Sequence, residues 1–295
     1  FDDFDARRQF WEAALNGQMA ERFLEGDEEG ALQIAKDMLA GGKPEGVVHI
    51  VGAGPGDPEL LTLKALRLLQ QADIVYYDRL VSDEIIDLIR RDADRVCVGK
   101  EKNFHSVPQP KIHDLLVESA REGKRVVRLK GGDPFIFGRG GEELEALQAE
   151  GVDAHVVPGI SSALGCAASS GIPLTHRDHA QAVTFVTGHA KSGDVPELDW
   201  PSLGATNQTL VIFMGLTNAL TIAENLIKAG RKPSTPVAII ENGTREDERR
   251  FFGSLSEMPQ IVDQNKVTSP ALLIIGEVAG LPLEAIIRRA ADEAA

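Results

Sequence analysis

The segment of this sequence best suited to chemistry runs from residue 130 to 143 and is Lys-Gly-Gly-Asp-Pro-Phe-Ile-Phe-Gly-Arg-Gly-Gly-Glu-Glu. Its paired glycines, Gly131 and Gly132, can adopt positive φ and let a ligand approach the main chain, while Asp133 offers an acceptor for a hydroxyl or an amine. Arg139 lies among glycines and can present its planar guanidinium to a carboxylate. The segment predicts a site for a charged small molecule, with a plain strand-to-helix turn as the alternative.

The acidic composition argues against a nucleic-acid partner. The 295 residues carry 45 acidic and 31 basic side chains, for a net charge of −14, whereas phosphate binding requires a basic face. Cys97 and Cys166 lie far apart without a CxxC pair or a histidine cluster, so neither a disulfide framework nor a zinc site is predicted. Because no apolar run of about eighteen residues and no leader occurs, we predict a cytoplasmic protein without a membrane partner.

Hydrophobic periodicity predicts three blocks. In residues 1–46 the apolar spacing predicts short amphipathic helices. Their exposed aromatic side chains should dock on another surface, such as a partner subunit. After a linker at residues 41–44, β-branched runs alternate with helical ones, which predicts an α/β fold with βαβ units and a mainly parallel sheet. We expect one α/β domain at residues 47–172 and a second at residues 173–295.

The predicted elements follow that alternation. Strands are predicted at residues 47–51, 74–77, 95–98, 126–129 and 155–157, and then at residues 183–187, 209–214, 236–241 and 271–275. Helices are predicted at residues 60–71, 83–88, 110–122, 142–149 and 161–169. Since ligands bind at the carboxyl ends of the strands in parallel sheets, the glycine-rich loops that follow these strands are the expected binding loops.

The loop after the first strand, residues 52–57, does not fit a dinucleotide site. Asp57 stands where the fingerprint requires a third glycine, and Pro55 removes a backbone donor that a pyrophosphate would use. No Gly-Lys-Ser/Thr follows, which excludes a Walker loop. The loop is instead predicted to be a rigid turn that can lie flat against a ligand.

Taken together, these motifs resemble the tetrapyrrole methylases, and within that family the uroporphyrinogen-III C-methyltransferases. The matching segments occur in order at residues 51–57, 60–64, 77–81, 98–100, 128–143, 157–160, 171–177, 187–189 and 214–216. Residues 1–46 resemble the last helices of the dehydrogenase and ferrochelatase module that precedes the methyltransferase in siroheme synthase. An unrelated helical extension is the alternative. With the nucleotide-binding part of that module absent, the chain is expected to methylate but neither to oxidise precorrin-2 nor to insert iron.

The resemblance implies two α/β domains with an active-site cleft between them, preceded by a helical segment, in a homodimer. It also implies S-adenosyl-methionine as methyl donor, S-adenosyl-homocysteine as product, and uroporphyrinogen III as an acceptor methylated twice to precorrin-2, without a metal. A methylase of a later corrinoid, a relative that modifies diphthamide or ribosomal RNA, a nicotinamide-dependent oxidoreductase and a non-catalytic dimerisation scaffold remain alternatives.

The family's functional residues can be carried over position by position. Asp78 is the implied base and Lys100 the implied proton donor, with Arg139 and Glu142 as rival catalytic candidates; Arg139 is expected to contribute more to substrate placement. The implied donor site comprises Pro55, Gly131, Gly132, Asp133, Ile136, Ser161, Ser162, Met214, Gly243 and, more weakly, Ala271. Because the acceptor is polyanionic and the protein acidic, a local positive wall is needed. Its candidates are Arg128, Lys130, Arg139, His176 and Arg177.

Overall fold

The computed structural model describes residues 7, 10–11, 14–15, 17–39, 46–99, 107–190 and 193–281. The predicted linker at residues 41–44 lies outside the described residues. The described residues form two compact units, one within Phe1–Ala53 and Pro58–Gly159 and the other within Gly54–Asp57 and Ile160–Ala295. In the part of the chain that is described, no helix combines the length and the apolar character that crossing a membrane requires.

The first unit contains a fully parallel sheet of five strands in the order β3-β2-β4-β1-β5. Its strands are β1 Val47–Gly52, β2 Ile74–Tyr77, β3 Asp94–Cys97, β4 Arg125–Lys130 and β5 Asp153–Val157. Every residue of β1 is buried, because helices cover both faces of the sheet, as parallel sheets require. The prediction of a parallel sheet is therefore confirmed for this unit.

Six helices of the described residues belong to this unit. They are α1 Gln18–Leu24, α2 Glu28–Leu39, α3 Leu63–Gln71, α4 Asp83–Ile86, α5 Gln109–Arg121 and α6 Gly140–Ala149. Leu68 and Leu69 of α3 pack on one face of the sheet, and Leu116 of α5 with Leu147 of α6 packs on the other. As a result, α6 lies on the same face as the side chains of β4 that point away from α3.

The second unit contains a mixed sheet in the order β6-β7-β10-β8-β9, in which only β6 and β7 are parallel. Its strands are β6 Ala182–Thr187, β7 Gln208–Phe213, β8 Pro236–Glu241, β9 Arg249–Ser254 and β10 Ala271–Ile275. Its helices are α7 Ser162–Ser169, α8 Trp200–Leu203, α9 Ala219–Lys228 and α10 Met258–Gln264. The prediction omitted β9, which begins with two arginines and pairs with β8 as an antiparallel hairpin.

The two units divide after Gly159 and not after residue 172 as the sequence suggested. Helix α7 is the reason, because its Ala163 and Cys166 are buried in one cluster with Ala238 and Ile240 of β8. An element joins the unit in which it buries its apolar face. The predicted boundary was therefore placed too far along the chain.

Cys166 should be chemically inert in the folded protein. Burial, together with the nearby Glu248 carboxylate, raises the pKa of its thiol to about 12. At pH 8 the thiolate, which is the reactive form, would then make up only about one part in ten thousand. We expect a thiol reagent at pH 8 to label Cys166 only after denaturation, as peptide mapping would show, with the half-buried Cys97 as an internal comparison. Fast labelling of Cys166 in the native chain would contradict this expectation.

Candidate functional site

Three glycines bring the carboxyl ends of β1, β4 and β5 together in the first unit. A Cβ atom on Gly52 would lie 2.5 Å from the Gly159 nitrogen and 2.7 Å from the Gly132 carbonyl oxygen. One on Gly159 would lie 2.4 Å from that same oxygen. The main chains approach so closely that only glycine fits. Neither Gly52 nor Gly159 was predicted as a site residue, although each lies in a matching segment, Gly52 at the end of β1 and Gly159 two residues after β5.

The turn after β4 holds several predicted donor residues. Gly132 has φ of 69°, and a Cβ on Gly131 would lie 2.8 Å from the Leu80 Cβ. Asp133 accepts hydrogen bonds from the Phe135 nitrogen at 2.9 Å and from the Gly159 nitrogen at 3.1 Å. Since each carboxylate oxygen has two lone pairs, Asp133 can tie this turn to the end of β5 and still accept a bond from a ligand.

Ile136, Arg139 and Glu142 follow on the same loop and on the first turn of α6. Ile136 is half-buried. Arg139 has a left-handed backbone with φ of 60°, and its guanidinium donates from Nε and Nη2 to the two carboxylate oxygens of Glu142 at 3.0 and 2.6 Å. This pairing raises the pKa of Arg139, which makes it a permanent cation. An acceptor carboxylate would bind this guanidinium beside Glu142 or in its place.

Asp78 follows β2 and belongs to a buried ion network with Arg128, Lys130 and Glu143. Arg128 Nη2 donates to Asp78 Oδ1 at 2.5 Å, and Arg128 Nε donates to Glu143 Oε1 at 3.1 Å. Lys130 Nζ lies 3.1 Å from Glu143 Oε1 and 3.8 Å from Asp78 Oδ2. Two cations thus face two carboxylates at the carboxyl ends of neighbouring strands, with α6 closing the group from one side.

The network changes the interpretation of two predicted substrate-binding cations. Arg128 and Lys130 are 2% and 3% exposed, so they do not form an open positive wall. Burial lowers the pKa of the Lys130 ammonium, and the Arg128 charge lowers it further, whereas Asp78 and Glu143 raise it. Their observed partners are protein carboxylates, and direct contact with an acceptor stays a prediction.

The sequence reasoning did not single out Glu143, although a signal was present. Arg128 and Lys130 lie two residues apart in a central strand, so they face the same side of the sheet. Buried charges in such a position need paired carboxylates, and Glu142 and Glu143 are the acidic pair on the helix that follows. Of these two residues, Glu142 is exposed and Glu143 is buried, because one residue turns a helix by about 100°.

Four of the predicted donor residues lie around α7 in the second unit. Ser161 precedes the helix and accepts a hydrogen bond from the Ala163 nitrogen at 3.4 Å, and Ser162 is its first residue. Pro55 packs against the same helix, since a Cβ on Gly165 would lie 2.5 Å from the Pro55 Cγ. Gly243 also faces α7, where its added Cβ would lie 2.2 Å from the Cys166 sulfur.

The other predicted residues of this unit lie at strand ends and in one loop. Met214 follows β7 with φ of 54° and is half exposed, and Ala271 begins β10. The His176 ring lies beside that of His179, with 4.7 Å between the centroids and 47° between the ring planes, and the next residue, Arg177, is exposed. Lys100, the implied proton donor, lies outside the described residues. The roles assigned to these residues stay predictions.

Comparison with known proteins identifies two matching families. A model of the tetrapyrrole (corrin/porphyrin) methylases matches residues 47–259, and a model of the sirohaem synthase dimerisation region matches residues 1–39. A siroheme synthase from Pseudoalteromonas translucida (strain TAC 125) is 56% identical over 285 residues, which are 96% of this chain and 60% of that relative. This chain thus spans about 60% of the length of the curated relatives that it matches.

Solved structures agree with the family match. The uroporphyrin-III C-methyl transferase from Thermus thermophilus, solved in complex with S-adenyl homocysteine, is 44% identical, with a TM-score of 0.68. The match covers 78% of this chain and 92% of that one. A cobalt precorrin-4 methyltransferase from cobalamin biosynthesis is 31% identical, with a TM-score of 0.71 over 79% of this chain and 95% of its own.

Proposed function

The chain belongs to the tetrapyrrole methylases, and from that premise we propose that it transfers methyl groups from S-adenosyl-methionine to two carbons of uroporphyrinogen III, giving precorrin-2. The observation that carries the proposal is the coincidence of the glycine turn Gly131–Asp133, the Arg139 guanidinium and the Asp78 carboxylate around the carboxyl ends of one parallel sheet. The likeness to a uroporphyrin-III C-methyl transferase over 92% of its length supports this choice of acceptor.

The residues around the Gly131–Asp133 turn fit a nucleoside with an amino-acid tail. Gly131 and Gly132 leave the main chain without side chains there, so its amide and carbonyl groups can bond to a ligand. Asp133, anchored by two backbone amides, can accept a hydrogen bond from a ribose hydroxyl or an ammonium group. Bound S-adenosyl-methionine supplies a methyl group that its sulfonium already activates. The protein then has to hold the methyl group of the donor close to the acceptor carbon and in line with it, so that proximity and orientation speed the transfer.

Proton handling follows from the nature of the acceptor. Methyl transfer to a carbon of a reduced pyrrole leaves the macrocycle with one excess positive charge. The macrocycle must then release one proton from another of its positions, so the site needs an acceptor for that proton. Asp78, at the end of β2, is the candidate within the described residues, with its side chain 29% exposed. Arg139 is proposed to bind an acceptor carboxylate and not to exchange protons, because its raised pKa keeps it charged.

Residues 1–39 support a further proposal, namely that the chain acts as a homodimer. They match a dimerisation region, and Phe23, Leu24 and Leu39 of α1 and α2 expose more than 60% of their surface. Apolar side chains of this size are commonly covered by a partner. A cytoplasmic location is part of the same proposal.

The decisive experiment is anaerobic incubation of the chain with uroporphyrinogen III and S-adenosyl-methionine, followed by mass spectrometry. We expect the acceptor to gain the mass of two methyl groups, with matching release of S-adenosyl-homocysteine. A reaction without donor and one with heat-unfolded chain are the controls. A folded chain that binds the donor but adds no methyl group would contradict the choice of acceptor.

A second candidate acceptor is a later corrinoid, which the likeness to a cobalt precorrin-4 methyltransferase favours. The same assay separates the two candidates if cobalt precorrin-4 is offered in a parallel reaction. Methyl transfer to cobalt precorrin-4 alone would establish this second candidate.

A further inference from the structure

Glu143 is the most deeply buried charged group of the ion network. Its side chain is 0% exposed, and its Oε1 accepts from Gln109 Nε2 at 2.9 Å, Arg128 Nε at 3.1 Å and Lys130 Nζ at 3.1 Å. Its Oε2 has no hydrogen-bond partner among the described residues. Moving a carboxylate from water into such a site costs several kcal/mol of desolvation free energy, which its hydrogen-bond partners must offset. Packing alone does not account for Glu143, since apolar residues of similar volume often give a core of equal or greater stability.

The network reaches solvent at one of its members. Arg128, Lys130 and Glu143 have side chains that are 2%, 4% and 0% exposed, whereas that of Asp78 is 29% exposed. Arg128 also donates from Nη1 to the carbonyl oxygen of Leu129 at 3.1 Å, so its guanidinium is fixed on several sides. Glu143 is therefore linked to the Asp78 carboxylate through two cations that have little freedom to move.

We infer that Glu143 is a positioning residue for proton transfer: through Arg128 and Lys130 it fixes the Asp78 carboxylate in orientation and charge. The inference rests on the proposed function, because Asp78 is the proton acceptor there. Glu143 itself touches neither donor nor acceptor.

Lys130 shows how the coupling would be measured. Burial and the Arg128 charge lower the pKa of the Lys130 ammonium, while Asp78 and Glu143 raise it. Other polar groups on the packed elements are Gln109, which bonds to Glu143, and His113, whose ring lies 3.3 Å from Gln109 Nε2. Removing the Glu143 charge removes one of the two carboxylates that raise the pKa of Lys130. Lys130 should therefore lose its proton at lower pH.

The test compares Glu143→Gln with Glu145→Gln, which makes the same change at an exposed position of α6. For Glu143→Gln we expect kcat to fall about 10- to 100-fold, a fraction of what general acid–base catalysis contributes. KM for both substrates should stay within about threefold, because the lost interaction concerns turnover. The basic limb of the pH profile of kcat should move to lower pH by about one unit. The titration midpoint of Lys130, measured by NMR in the chain without substrate, should move by the same amount. Glu145→Gln should match the original chain in every measurement.

Each of two variants has an outcome that would overturn the inference. A wild-type profile in folded Glu143→Gln, or a loss of kcat that merely follows the unfolded fraction, would overturn the inference. If Glu143→Gln does not fold, Glu143→Asp replaces it: the charge stays but the oxygen withdraws from Arg128 and Lys130, so kcat should fall at constant KM, and wild-type kcat would again overturn it.

The Lys130 titration needs no substrate, which separates this inference from the proposed function. If the original chain adds no methyl group to uroporphyrinogen III while the Lys130 midpoint shifts in Glu143→Gln, the choice of acceptor fails and the coupling stands. An unshifted midpoint overturns the coupling whatever the acceptor is.

Discussion

Replacing Asp78 with alanine is expected to lower kcat severely while leaving donor binding intact. The reason is that each methyl transfer to a pyrrole carbon releases a proton, and Asp78 is the partly exposed carboxylate of the described network. General acid–base groups contribute about 10²- to 10⁴-fold, so kcat should fall by that factor. The measurement is the rate of S-adenosyl-homocysteine release, together with calorimetric titration of the donor product.

Asp78→Asn separates the role in proton transfer from the role in packing. Alanine leaves Arg128 Nη2 without its 2.5 Å partner, which should lower the free energy of unfolding by about 1–3 kcal/mol. Asparagine keeps an oxygen for that bond but has neither the negative charge nor the ability to accept the proton. It should therefore lose less stability than alanine does while being nearly as inactive. Asp114→Ala, at an exposed position of α5, is the control. Substantial turnover in Asp78→Asn would move the base role to another residue.

The sequence predicted the first unit well because its signal there is simple. A strand buried on both faces is a nearly continuous apolar run, such as Val47–Gly52, in which His49 is the one polar residue, and a helix between two such runs implies a parallel crossover. The edge at which ligand residues would gather followed from the same rule, since Gly131, Asp133 and Asp78 all follow strands. The pairing of Arg139 with Glu142 was not predicted, although their spacing of three residues is compatible with it.

The second unit was predicted less completely because strand direction there depends on partners far away in the chain. The strand β9 contains Arg249 and Arg250, and it exists because β8 offers an edge for an antiparallel hairpin. Hydrophobic periodicity does not reveal such pairing. The membership of α7 was misjudged for a related reason, since its apolar face is complementary to β8 and not to the sheet that precedes it.

The ion network marks another limit of sequence reasoning. Arg128 and Lys130 were predicted to belong to a positive wall because a polyanionic acceptor needs local cations on an acidic protein. Whether such a cation faces solvent or a protein carboxylate depends on the helix that packs over the strand. In this chain Glu143 on α6 accepts from both cations, so the environment of Arg128 and Lys130 depends on how α6 packs on β4.

Gly159→Ala is expected to destabilise the first unit and to weaken donor binding together. Its added Cβ would lie 2.4 Å from the Gly132 carbonyl oxygen and 2.8 Å from the main chain of Gly52. Main-chain atoms of two neighbouring strands cannot move aside as a flexible side chain can, so the overlap should cost about 3 kcal/mol or more. To relieve the overlap, the ends of β1 and β5 would have to move apart. This movement would lengthen the hydrogen bond from the Gly159 nitrogen to Asp133.

Because that hydrogen bond anchors the Gly131–Asp133 turn, donor affinity should fall at least about tenfold, as the loss of about 1.4 kcal/mol implies. Gly141→Ala is the matched control, since nothing lies within 4 Å of its added Cβ and alanine is the better helix former. Thermal unfolding and titration with S-adenosyl-homocysteine would measure both effects. If Gly159→Ala lost stability but bound the product normally at a temperature where it is folded, the strand-end glycines would serve packing alone, and the donor site would have to lie away from Asp133.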